Sequence, residues 1–210
     1  MAARTRYPPA SIADHPELAF LARLRTPSRI QDYLDSLPIN HERRGATLSS
    51  PLGVVRRGTA QCMEGALVAA LALWMQGEPP LVLDLKSSRH DVDHVVALFR
   101  QNGCWGAISK TNHAVLRYRE PIFRDTRELA TSYFHEYTLP NGRKTLRSYS
   151  VPFDLRIFPQ RWMTSEEPLF DLEMRIDTCR HFNFMSRRQI ARLRVADDIE
   201  IAAGKLVEWK

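Results

Sequence analysis

Cysteine is scarce in this chain. Cys62, Cys104 and Cys179 are the whole supply in 210 residues. Three are too few for a disulfide scaffold, leave an odd thiol in any pairing, and fit a reducing compartment. Long hydrophobic runs are missing as well. The most apolar stretch, Ala66 to Met75, is far shorter than the roughly 20 residues that a bilayer-spanning helix requires. The basic N-terminus, Met1 to Pro9, lacks the apolar segment of a secretory signal, so a cytoplasmic protein is expected. There is no dense Lys/Arg run. The pairs Arg43-Arg44, Arg56-Arg57 and Arg187-Arg188 are scattered, although the net charge is +6 and the pI near 9.5. Such a balance permits weak attraction to anions but points to no specific nucleic-acid site and no membrane partner. Internal repeats and low-complexity linkers are absent.

What is present describes a globular domain. Hydrophobic residues make up 44% and charged residues 26%, enough apolar surface to offset the entropy of ordering the chain. At about 150 residues per domain the length suggests one domain with a small addition. Residues 14–25 read as a helix entered through His15-Pro16. Residues 28–37 read as a second, with Ile30, Tyr33, Leu34 and Leu37 on one face and Pro38 ending it. Residues 39–59 look irregular and polar. Cys62 to Gln76 is apolar around its whole circumference from Ala66 to Trp74, which predicts a buried central helix capped by Gly77. Residues 81–85, 94–99 and 105–109 then read as strands, the last two joined by an Asn102-Gly103 turn. Asp125 with Glu128 opens a further helix carrying Leu129, Ala130, Tyr133, Phe134 and Tyr137. Val151, Phe153, Leu155 and Ile157 alternate as in a half-buried strand, and residues 168–180 look helical. The final 25 residues fit helix or strand. This order of elements gives an α+β fold.

Two residues stand out chemically. Cys62 enters the buried helix, where a helix N-terminus favours negative charge and lowers a thiol's pKa toward the reactive range. His94 opens the apolar strand Val95 to Phe99, which is expected to pack on that helix and bring an imidazole to the thiol. His90-Asp91-Val92-Asp93-His94 puts two histidines and two acids in five residues, but its spacing suits neither a helical face nor zinc, so no metal is expected. Cys104 and Cys179 read as packing residues, Tyr133, Phe134 and Tyr137 as core, and Arg117-Tyr118-Arg119-Glu120 as a solvated face.

The segments Ser50-Pro51-Leu52-Gly53-Val54-Val55-Arg56, Gly58-Thr59-Ala60-Gln61-Cys62-Met63-Glu64-Gly65-Ala66-Leu67 and Gln76-Gly77-Glu78-Pro79-Pro80-Leu81-Val82-Leu83 resemble the transglutaminase-like superfamily, of papain-like fold. Residues 105–113 and 116–121 resemble a bacterial subgroup of it. The resemblance implies an N-terminal tail and helix over 1–25, a transglutaminase-like core over 26–125, and an α/β extension over 126–210 packed on the same domain. It implies a central buried helix packed on an antiparallel sheet, with Cys62 as nucleophile and His94 as base. It also calls for an acid on the strand after the histidine, and here the chain departs: no Asp or Glu lies between His94 and Glu120. Asn112 is the expected orienting residue, since an amide does this in Cys-His-Asn sites; Ser109, Asp91 and Asp93 are the alternatives. The implied chemistry is acyl transfer or hydrolysis of a peptide or amide, with no cofactor. A binding or scaffold module that kept the fold and lost the chemistry is the alternative.

Overall fold

The central helix is built from its first turn outward. In the computed structural model, which describes residues 7–41 and 47–208, α3 spans Cys62–Met75 and is buried without a break from Met63 to Trp74. Its N-terminus closes as a capping box. The Gln61 side chain accepts the Met63 N–H, and the Glu64 carboxylate reaches back to the Gln61 N–H at 2.9 Å. Glu64 is fully buried, and it also accepts the Ser49 N–H and pairs with Arg57 at 2.9 Å. Gly65 answers to crowding: a Cβ there would meet Lys110 Cβ at 2.4 Å, where the chain leaving the sheet crosses the helix. Among the described residues no helix is long and apolar enough to cross a membrane.

Helix α1, Pro27–Ser36, starts at Thr26, whose hydroxyl accepts the Arg29 N–H, and buries Ile30 and Leu34. Helix α2, Pro51–Arg57, lies inside the stretch that reads as irregular. Its signals are Ser50 as N-cap, Pro51 in the first turn and Gly58 at φ 69° after the last. Seven residues with a Gly at their centre are too few to show a helical period. Residues Pro16–Arg23 form 3-10 turns rather than an α-helix, with Leu18 and Leu21 buried.

The strands β1 (Leu81–Lys86), β2 (His94–Gln101), β3 (Cys104–Ile108) and β4 (Arg119–Phe123) follow in sequence; β5 (Ser148–Ser150), β6 (Phe153–Asp154) and β7 (His181–Asn183) come later. They form one sheet in the order β4-β3-β2-β1-β5-β7, with β6 also on β1, and all pairs are antiparallel. Strands from 26–125 and from 126–210 thus share one sheet. Val95, Ala97 and Phe99 of β2 pack in a core with α3, while Val96 and Leu98 pack in a second core with Leu129, Ala130, Tyr133 and Tyr137. A strand buried on both faces explains the continuous apolar run in β2. The fold is α+β, a central buried helix packed on an antiparallel sheet.

The expected strand through Val151 and Ile157 breaks up. Pro152 cannot donate a ladder hydrogen bond, so within the segment only Phe153–Asp154 (β6) pairs with β1, and it ends in a 3-10 turn, Leu155–Ile157. Helix α4 begins at Asp125 as expected but covers only Thr126–Thr131; Tyr133 and Tyr137 reach the core from the turns beyond. Helix α5, Phe170–Asp177, buries Leu172 and Ile176, and the last residues hold two short helices, α6 (Arg187–Ile190) and α7 (Asp198–Gly204).

Candidate active site

Cys62 and His94 open on one cavity of about 360 Å³, lined also by Lys110, Asn112 and Glu136. Cys62 borders a second cavity of about 510 Å³ with Gln61, Asp84, Asp93 and Phe170. The sulfur faces the backbone amides of Met63 and of Val95, the residue after His94. His94, first residue of β2, shares the parity of Val96 and Leu98, so its ring lies toward the second core, while Cys62 packs against the first. Thiol and imidazole thus share a cavity at the open end of β2 from opposite sides of the strand, with the Cys62 sulfur 3.2 Å from Gln61 Oε1.

The ring's partner is Ser109. His94 Nε2 lies 2.7 Å from Ser109 Oγ, and the same hydroxyl donates to the Leu116 carbonyl at 2.5 Å. A carbonyl only accepts, and a hydroxyl has one proton. With that proton directed at Leu116, Ser109 accepts from His94 Nε2, and the Leu116 carbonyl also faces the ring as an acceptor. Asn112, the expected orienting residue, lines the cavity, but the described partners of the ring are Ser109 and the Leu116 carbonyl; the Asn112 carbonyl accepts the Glu208 N–H at 2.7 Å. Asp91 and Asp93 are engaged elsewhere. Asp91 accepts the Thr145 hydroxyl and the Val92 N–H, and Asp93 the Ser87 N–H at 2.7 Å. The residue type explains why Ser109 was only one of several readings: its role depends on the fold of the loop that brings Leu116 back over it.

The electrostatics reverse one expectation. Burial pushes the Cys62 thiol up to about 11, and the nearby carboxylates of Asp84 and Glu64 add to the rise. The Val95 and Met63 amides pull the other way, but less strongly than burial. Burial likewise pulls His94 down to about 4, helped by His113 and Arg119. At neutral pH the cavity holds a thiol and a neutral imidazole.

A second imidazole, His181, sits 3.0 Å from buried Asp84 through Nε2 and 2.7 Å from the Cys179 carbonyl through Nδ1. Asp84 raises its pKa, and a proton on each nitrogen suits both acceptors. Ninety-seven residues separate the pair, and no local pattern announces it. Carboxylate oxygens of Asp84, Asp93 and Asp177 lie within 4.8 Å of one another. His181, the Ser87 N–H and Lys86 answer them in turn. Of the expected solvated face, Arg117 pairs with Glu208 at the surface, but Arg119 is drawn inward onto Glu136 and lies 4.0 Å over the Tyr133 ring.

No protein-family model matches the chain, and no curated protein matches it. Among solved structures it is similar to Legionella pneumophila LapG in its EGTA-treated form, at 10% identity and a TM-score of 0.39, over 70% of this chain and 83% of that one. At that level the likeness is one of outline and assigns no residue its role.

Proposed function

We propose that this protein is a thiol enzyme of the transglutaminase-like kind, carrying out acyl transfer or amide hydrolysis with Cys62 as nucleophile and His94 as base. The observation that supports this reading is that Cys62, at the start of the central helix, and His94, whose Nε2 lies 2.7 Å from Ser109 Oγ, line one cavity. Because both groups are neutral at rest, the proton leaves sulfur as attack occurs. The Cys62 sulfur forms a bond to the substrate carbonyl carbon while His94 Nδ1 takes the thiol proton. The Cys62 N–H, at the helix start, is the proposed oxyanion donor. The carbon–nitrogen bond then breaks, the imidazolium returns its proton to the leaving amine, and a thioester remains on Cys62. Water or a second amine resolves it, giving acid or transferred acyl product. The residues described need no cofactor for these steps.

One observation favours the alternative, a binding module without chemistry. Both pKa values lie far from neutrality, and a base near 4 is a weak one at pH 7. The two readings part on acylation by p-nitrophenyl acetate. The enzyme reading expects a stoichiometric burst of p-nitrophenolate with the acetyl group on the Cys62 peptide by mass spectrometry, lost in Cys62→Ser and reduced at least about a hundredfold in His94→Ala. Labelling of Cys62 no faster than of Cys104 and Cys179 establishes the module reading.

A further inference from the structure

The tautomer of His94 depends on a residue that is itself under constraint. Leu116 sits at φ 61°, a left-handed conformation that disfavours a leucine. Asn102, the other described non-glycine residue with positive φ, occupies a two-residue hairpin turn that calls for it. Leu116 has no such local reason. Both of its backbone polar groups are instead held from outside. Its N–H donates to Glu136 Oε2 at 2.6 Å, and its carbonyl takes the Ser109 hydroxyl. The next carbonyl, that of Arg117, accepts the Tyr133 hydroxyl at 3.1 Å and Arg119 Nη1 at 3.2 Å. Glu136 is fixed in turn by Arg119, whose Nε donates to Ser132 Oγ at 2.9 Å. Ser132, Tyr133 and Glu136 all come from the turns after α4 and grip the loop after β3.

We propose that Glu136 is a positioning residue that sets the tautomer of His94 without touching it. Its carboxylate holds Leu116 in the left-handed conformation. The Leu116 carbonyl then takes the Ser109 hydroxyl and faces the ring as an acceptor, so the ring nitrogen at this end, Nε2, carries the proton. The clamp rests on the reading of His94 as the base for its purpose, but not for its existence.

Nitrogen-15 NMR of the imidazole reads the tautomer directly and needs no activity. In the native chain the protonated nitrogen of His94 is Nε2. In Glu136→Ala the two tautomers mix, and Cys62 acetylation by p-nitrophenyl acetate falls at least about tenfold. Glu136→Gln, which keeps an acceptor but loses the ion pair with Arg119, gives a smaller shift in the same direction and covers the case in which the alanine variant does not fold. Leu116→Gly supplies the rescue. Glycine adopts positive φ without a clamp, so in that background neither Glu136 substitution moves the tautomer. A tautomer unchanged in Glu136→Gln, or one that still shifts in the glycine background, overturns the proposal. A tautomer that follows Glu136 in a chain whose Cys62 never acylates leaves the clamp standing and removes the enzyme reading.

Discussion

His94 shows how one side chain can tie stability to pH. Its folded pKa of about 4 lies below the ordinary 6.5. Between those values the unfolded chain binds the proton and the folded one does not, so stability falls as pH drops from about 6.5 to about 4. The shift corresponds to at most about 3 kcal/mol. His181, whose pKa is raised, works in the opposite sense: its contribution is full below the ordinary value and fades as pH rises through the folded one. The two windows do not overlap. Urea midpoints measured from pH 6.5 down to 4.5 are expected to fall steeply in the native chain and less in His94→Gln; equal slopes would mean that the ring is solvated. The positions of Cys62 and His94, at the starts of α3 and β2, were legible in the sequence because each opens an apolar element. Ser109 was one of the alternatives to Asn112, whereas Leu116 and Glu136 were not legible, since their part in the site is made by a loop returning over a strand end.

At the scale of elements, α3 was legible because a helix apolar all round has one destination, the core. Its Gly65 was not, because the reason for it lies 45 residues away in Lys110. An alanine is ordinarily about 1 kcal/mol better than glycine inside a helix. Here its Cβ would fall 2.4 Å from Lys110 Cβ, an atom that cannot swing aside because Lys110 Nζ is tied to the carbonyls of Leu34 and Leu37. Gly65→Ala is therefore expected to destabilise by about 1–3 kcal/mol, as overpacked cores do; a higher urea midpoint would show that the crossing relaxes freely. Helix α2 was missed although its caps were in view, because seven residues show caps before they show a period. The 151–157 strand was misread because alternation says nothing about the missing donor at Pro152.

At the scale of the molecule, residues 126–210 complete the fold. Leu83, Leu85, Val96 and Leu98 pack against Leu129, Tyr133, Tyr137, Leu146 and Tyr149, and Trp162, Leu172 and Ile176 close the helix-side core. A fragment ending at residue 125 would leave one face of β1 and β2 bare and β1 an open edge. It is expected to lack a cooperative unfolding transition and to bind a hydrophobic dye; a cooperative melt would make 126–210 a dispensable addition. The whole arrangement serves one claim, that a neutral thiol passes its proton to a neutral imidazole as it attacks. The most direct test is the pH dependence of Cys62 acetylation by p-nitrophenyl acetate, followed on the Cys62 peptide. Base assistance from His94 predicts a rate nearly level from about pH 5 to about pH 9, since neither group titrates there. A rate climbing about tenfold per pH unit across that range would be that of a bare thiolate formed only by ionisation, and would contradict it.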